Sequence, residues 1–328
     1  MSTPIALLLF CTSLAATLAA SALFARRLDR LGGRLGIHEA VLGLLTALAA
    51  DAPELSSGMT AMVRGERGVG VGVLLGSNVF NIAAMVGVSA LLAGSVRLDR
   101  PALALEGASA LVAAAIAGGV LFGVLPPWLA VALLAAWAAP YLVLLSRGTF
   151  HGPLPPRDPR PQRVLPRAGA RAVAGTAAQV CALIVRELPA VGVIVVGSVG
   201  MVDSAVVLAG RYGLPRPLVG LLVLATATSL PNAFTAIRLG LAGRGAALVS
   251  ETLNSNTINL AFGLVVPSLL VTLSAGGGGF RLDYLWMVAE TLAMLLLVGR
   301  RGGAGRLAGI ALVGSYAVYV AVRVATLG

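Results

Sequence analysis

"GSNVFNIAAMVG" (residues 76–87) and "NSNTINLAFGLV" (residues 254–265) are the two stretches on which the reading of this chain turns. Each is an apolar run interrupted by Ser and Asn at one spacing: Ser77, Asn78 and Asn81 in the first, Ser255, Asn256 and Asn259 in the second, 178 residues on. Polar side chains buried in apolar surroundings cost free energy unless something bonds them. A triplet placed twice in this way therefore has a common purpose.

The surrounding sequence sets the medium. Of 328 residues, 58% are hydrophobic and 11% charged, with a mean hydropathy of +0.94. A soluble domain carries about 25% charged residues, so the composition predicts an integral membrane protein. Its net charge of +11 is carried by Arg, without Lys. These Arg cluster between apolar segments, which reads as membrane topology rather than a nucleic-acid surface. The partner expected is membrane lipid, with no obligate protein partner indicated. Cys11 and Cys181 lack a CxxC spacing and suggest two buried thiols rather than a metal site or disulfide. Residues 4–24 end in small residues, but the basic run "ARRLDRLGGR" follows them rather than preceding them, which favours a first span over a leader.

A spanning helix needs roughly 20 apolar residues. Candidates lie near 4–24, 38–64, 69–93, 102–124, 127–146, 186–210, 216–241, 246–273, 283–299 and 306–326, separated by Gly, Pro and Arg punctuation. Residues 147–171 form a basic, Pro-rich loop, and 172–185 are apolar but too short to span alone. The positive-inside rule puts the Arg-rich central loop in the cytoplasm. Arg26, Arg27, Arg30, Arg34, Arg97, Arg100, Arg300, Arg301 and Arg306 then fall on the same side, and both termini fall outside.

Sliding the chain by 178 residues lays "TALAADAPELSSG" (46–58) on "LATATSLPNAFTA" (224–236), so that Pro53 falls on Pro231 and Gly65 on Gly243. The expectation is an all-α integral membrane protein of ten transmembrane helices in two five-helix repeats, 1–146 and 172–328, joined by 147–171. Five is odd, so the second repeat enters from the opposite side, as in secondary transporters whose sites lie near the midplane. Proline removes a backbone donor and frees a carbonyl one turn back, tolerated in a membrane only against protein or a polar cavity. Asp51 and Glu54, three apart, share a helical face beside Pro53. Ser77 with Asn81, and Ser255 with Asn259, are four apart on theirs. Two proline-broken helices and two Ser/Asn helices could line one oxygen-rich pocket.

At these residues the chain resembles the cation/calcium antiporter superfamily, the sodium/calcium exchanger family, which pairs a TSLPEL-like with a GSNxxN-like stretch in each half. "APEL" with "GSNVFN" and "ATSLPN" with "NSNTIN" carry the resemblance. It implies an antiporter, not an enzyme, in a prokaryotic inner or plasma membrane. It would exchange Ca2+ for Na+ or H+ by alternating access, with no resident cofactor. It also implies cation ligands at Glu54, Ser77, Asn81, Ser255 and Asn259, with Thr228, Ser229 and Asn232 in the second proline motif and backbone oxygens at Ala47 and Ala225.

The site departs from that pattern. Asn232 stands where a second glutamate is usual, and Asp51 replaces a hydroxyl, so both carboxylates come from one half. Two negative charges match one divalent or two monovalent ions, and fewer than three sodium ions. Glu251, one turn before Ser255, is a candidate mouth or proton-path residue. Glu106, Asp203 and Glu290 stand alone, and His38 with Glu39 read as interfacial caps. Alternatives are an antiporter for a monovalent cation or another divalent metal, an ion-binding member that does not transport, and an intramembrane hydrolase using Asp51 with Asp203. The last lacks any nucleophile constellation. The topology predicts that a Pro155→Cys side chain, in a chain without Cys11 and Cys181, reacts with an impermeant thiol reagent only from the cytoplasmic face. Labelling from outside would reverse the orientation.

Overall fold

A computed structural model describes residues 1–35, 47–97, 100–146, 177–273, 278–300 and 303–327. The chain is an all-α integral membrane protein. Its helices are α1 (Thr3–Leu35), α2 (Ala52–Val63), α3 (Arg67–Ala93), α4 (Arg100–Leu121), α5 (Pro127–Ser146), α6 (Ala177–Arg211), α7 (Arg216–Leu241), α8 (Gly245–Ile258), α9 (Arg281–Arg300) and α10 (Arg306–Leu327). Among the described residues, α1, α3, α4, α6, α7, α9 and α10 are long and apolar enough to cross a membrane. The segments expected near 127–146 and 246–273 are α5 and α8, the latter continued by π-helical Asn259–Val265. Residues 36–46, with His38 and Glu39, and the loop 147–171 lie outside the described residues. Residues from Ala177 onward join α6 without a break.

Two features run against the sequence reading. A short antiparallel ribbon, Ser95–Arg97 against Gly303–Gly305, ties the end of α3 to the start of α10. Its strands are too short to show an alternating pattern. Cys11 is exposed on the outside of α1 rather than buried, because the helix turns its small residues inward and leaves this one on the lipid side.

Small residues decide how closely the helices approach. At the crossing of α3 and α7, a Cβ on Gly76 would collide with the Leu221 backbone, and one on Gly220 with the Val69 carbonyl. Without a hydrophobic force between helices in lipid, such close backbone contact is a main source of attraction. Gly197 and Gly200 of α6 likewise sit against Thr17 and Ser13 of α1. Of the three π-helical stretches among the described residues, Ile82–Val88 and Asn259–Val265 directly follow or include the last Asn of a polar triplet, and Val219–Leu224 lies in α7 ahead of the second proline motif. Wide turns of this kind recur at functional sites.

The repeat is visible in how helices end. Gly65 and Gly243, one repeat spacing apart, have φ of 84° and 72°, a region open to glycine but costly to residues with a Cβ. Behind each the same pair of bonds closes the helix: Gly65 N–H to Met62 O (3.1 Å) and Glu66 N–H to Ala61 O (2.9 Å), then Gly243 N–H to Gly240 O (3.0 Å) and Arg244 N–H to Leu239 O (2.9 Å). Ion pairs fasten helix ends: Arg64 to Asp203 (2.5 Å), Arg216 to Glu66 (2.5 Å) and Arg27 to Glu187 (3.7 Å).

Gly76→Val should force α3 away from α7 and destabilise the fold by about 1–3 kcal/mol, the usual cost of overpacking. Thermal unfolding in detergent would read it, with Gly314→Val, where a Cβ meets open space, as the unchanged control.

Candidate cation site

The site begins with what proline does to a helix. Pro53 occupies the first turn of α2, and the chain bends at Asp51, although the Leu55 amide still reaches the Asp51 carbonyl (3.0 Å). Proline's missing N–H frees the Ala49 carbonyl one turn back. Ser21 of α1 donates its hydroxyl to that oxygen at 2.6 Å. Pro231, by contrast, lies inside unbroken α7. Of the two backbone oxygens implied by the resemblance, Ala47 O accepts the Asp51 amide (2.9 Å) and Ala225 O accepts the Thr228 hydroxyl (3.2 Å). A carbonyl has two lone pairs; Ala47 O retains one, whereas Ala225 O also accepts the Ser229 amide within its own helix and has none left.

Asp51 is 1% exposed and Glu54 fully buried. Their donors come from the other end of the sequence. Asn232 Nδ2 donates to Asp51 Oδ1 at 2.7 Å, and Ser255 Oγ donates to the same oxygen at 2.7 Å. Ser229 Oγ donates to Glu54 Oε1. Asn81 Nδ2 donates to Ser255 Oγ (3.2 Å), completing a relay from α3 through α8 to Asp51. Thr228 turns its hydroxyl onto its own helix, bonding Leu224 O at 2.8 Å.

The middle Asn of each triplet, not among the predicted ligands, does the joining. Asn78 Nδ2 donates to Asn256 O (3.2 Å), and Asn256 Nδ2 donates to Asn78 O (3.0 Å). Asn81 Nδ2 reaches Asn256 Oδ1 (3.2 Å), as Asn259 Nδ2 reaches Asn78 Oδ1 (3.1 Å). Every bond in this set has its counterpart one repeat away. The signal was present in the sequence as two Asn at matching positions, but the partner of each could not be read from it.

What this network leaves over is instructive. Asp51 Oδ2, Glu54 Oε2, Ser77 Oγ, Asn81 Oδ1 and Asn259 Oδ1 are buried and have no hydrogen-bond partner among the described residues. Buried polar atoms are normally satisfied. All five are oxygens able to coordinate a hard cation, two of them from carboxylates. A set of three or more His, Cys, Asp or Glu suited to a metal is not found among the described residues, so any cation here would rely on neutral oxygens as well.

The other acids separate from this cluster. Glu251 is partly buried and within electrostatic reach of Asp51. Glu106 accepts the Ser250 hydroxyl. Asp203 pairs with Arg64 while 41% exposed, whereas Asp51 is enclosed by Asn232 and Ser255. The two form no dyad, which removes the footing of the hydrolase alternative. Glu290, read as standing alone, is buried at mid-length of α9.

Fold and site together define the class as an all-α integral membrane protein with a buried polar centre. Over residues 5–146 and 188–325 the chain matches the family described as "Sodium/calcium exchanger protein", and it belongs to that family of transporters. Inner membrane protein YrbG of Escherichia coli (strain K12) is 27% identical over 296 residues, covering 87% of this chain and 86% of that protein. In solved structures the fold is similar to the H+/Ca2+ exchanger CAX (TM-score 0.70, 17% identity, 97% of this chain and 86% of that one). It is also similar to the sodium-calcium exchanger NCX_Mj (TM-score 0.63, 19% identity, 98% of this chain and 99% of that one).

The reciprocal Asn clasp makes a quantitative prediction. In a double-mutant cycle of Asn78→Ala and Asn256→Ala, the coupling should be about 0.6–1.7 kcal/mol, the range for polar bonds between membrane helices. Unfolding in mixed micelles measures it, and additive effects would show that the bonds do not hold the helices together.

Proposed function

We propose that the chain is a secondary antiporter that exchanges calcium for sodium ions or protons by alternating access. In this reading ten spans form two inverted five-helix repeats, 1–146 and 172–328, around the cation site near the midplane, in a prokaryotic inner or plasma membrane. The substrate cation binds Asp51 and Glu54, with Ser77, Asn81, Ser255 and Asn259 as neutral oxygens and Thr228, Ser229 and Asn232 shaping the second proline motif. No resident cofactor is required.

The observation that carries this reading is the set of five unpartnered buried oxygens on the proline and Ser/Asn helices. Calcium takes six to eight oxygens. These five, with the free lone pair of Ala47 or with water, come to that number. The two carboxylates offset a divalent charge, which an isolated carboxylate in a dry cavity does not. The names of the similar proteins, an H+/Ca2+ exchanger and a sodium-calcium exchanger, support the same substrate class.

One observation favours a second reading. Asp51 Oδ1 already accepts two bonds, from Asn232 and Ser255, which leaves one Asp51 oxygen for a cation. A site drawing mainly on Glu54 would suit a monovalent ion.

Calorimetric titration with calcium separates the two. Glu54→Gln should weaken binding by about 3–5 kcal/mol, the cost of leaving a buried charge unpaired. Asp51→Ser should weaken it too, and Asn232→Glu added to Asp51→Ser should recover it by returning the second carboxylate. Equal calcium affinity in the native chain and Asp51→Ser would put Asp51 outside the site and leave the monovalent reading. Isotopic calcium uptake into proteoliposomes under imposed sodium or pH gradients tests the transport itself.

A further inference from the structure

One buried acid has no place in the cation site. Glu290 lies at mid-length of α9, is 2% exposed, and neither of its carboxylate oxygens has a hydrogen-bond partner among the described residues. The other acids of the bundle are differently placed. Asp283 is held by Arg323 (2.8 Å) and the Tyr319 hydroxyl (2.8 Å), Glu106 accepts from Ser250, and Asp203 and Glu66 pair with Arg.

The neighbours of Glu290 limit what it can bind. The titratable group that faces it is Tyr316 of α10, whose hydroxyl is within electrostatic reach and shares a 3.3 Å hydrogen bond with Thr226 Oγ1 of α7. Among the described residues Glu290 has neither an ion pair nor a hydrogen bond to its carboxylate oxygens. The nearby Thr291 hydroxyl is committed to the Met287 carbonyl at 2.8 Å. A metal ion needs more oxygens than one carboxylate and one or two hydroxyls supply, since even magnesium demands six ligands in an octahedron. A bare carboxylate inside a membrane bundle costs several kcal/mol. A proton removes that charge with one new O–H bond and needs no further ligand.

We propose that Glu290 is a proton-binding site in the core of the bundle, separate from the cation site. The step is reversible: the carboxylate takes H+ from water, one O–H bond forms, and the neutral carboxyl later returns the proton to water. A physical link to the cation site exists along α9. Met287, one turn before Glu290, receives the Asn78 Nδ2 hydrogen bond on its sulfur at 3.4 Å, and Asn78 is half of the clasp that joins α3 to α8. Loading Glu290 changes the charge one turn from that contact. The inference deepens the antiporter reading and rests on it, naming the proton as the counter-ion and giving it a place of its own.

Infrared difference spectroscopy of the full chain in lipid vesicles tests the site. At neutral pH the native chain should show a protonated-carboxyl C=O band that moves in D2O. Glu290→Gln should lose it, Glu54→Gln should keep it, and Glu290→Asp should keep a displaced band, which guards against simple misfolding. Survival of the band in Glu290→Gln would overturn the proposal, as would its disappearance from the native chain on adding sodium, which would mark a metal site. In proteoliposomes, calcium uptake driven by a pH gradient should fall in Glu290→Gln by a factor on the order of ten, the size of an ordinary coupling between two sites. Unchanged uptake there would overturn the role of Glu290 in coupling. If the native chain moved no calcium under any gradient, the antiporter reading would fail while the infrared result still decided Glu290.

Discussion

Two carboxylates, Asp51 and Glu54, lie within one helical turn of each other in the interior of an apolar bundle, and every other feature of the centre answers to them. Charge in such a medium is expensive unless it is hydrogen-bonded or neutralised. The donors that meet it, Asn232, Ser229 and Ser255, all belong to helices of the second half. Bonding the acids therefore requires α7 and α8 to come close to α2 and α3. The glycines at the α3–α7 crossing permit that approach, since a side chain at Gly76 or Gly220 would strike the opposing backbone.

The two halves share a framework but divide the labour. The framework is symmetric: the αL glycines Gly65 and Gly243 close their helices with matched bonds, and the Asn78–Asn256 clasp is reciprocal. The chemistry is not. The first half supplies both negative charges, and Asn232 in the second supplies an amide hydrogen to Asp51. The prolines diverge in the same way. Pro53 marks a bend whose freed carbonyl is taken by Ser21, while Pro231 is absorbed into a continuous α7. Matched framework bonds thus coexist with unmatched charge, because framework bonds depend on backbone position and the charge depends on single side chains.

Much of this was legible in the sequence, for reasons that can be named. Membrane insertion follows from the hydropathy and scarcity of charge, and the repeat from two polar triplets in a chain that otherwise avoids polar side chains. Spacing put Asp51 and Glu54 on one helical face, since residues three apart share it, and the resemblance marked Glu54 as a ligand. Asn78 and Asn256 were visible as a matched pair, yet their role as a clasp was not, because a hydrogen bond between residues 178 apart depends on how two helices cross. The exposed Cys11 and the ribbon between Ser95–Arg97 and Gly303–Gly305 were missed on the same ground. Neither has a periodicity of its own.

By itself the sequence determined the medium, the apolar segments, the doubling and the identity of the acids and amides at the centre, all of which are local or periodic properties of the chain. Only the tertiary structure decided which of those polar groups satisfy one another and which oxygens remain over. Ser77 and Ser255 were both marked as ligands by resemblance, but only the packed helices distinguish Ser77, whose oxygen has no partner among the described residues, from Ser255, whose hydroxyl bonds Asp51 and Asn81. Glu290 makes the same point from the other direction. In the sequence it is one acid in an apolar helix, and it becomes distinctive once the bundle closes around it and, among the described residues, offers neither oxygen a donor.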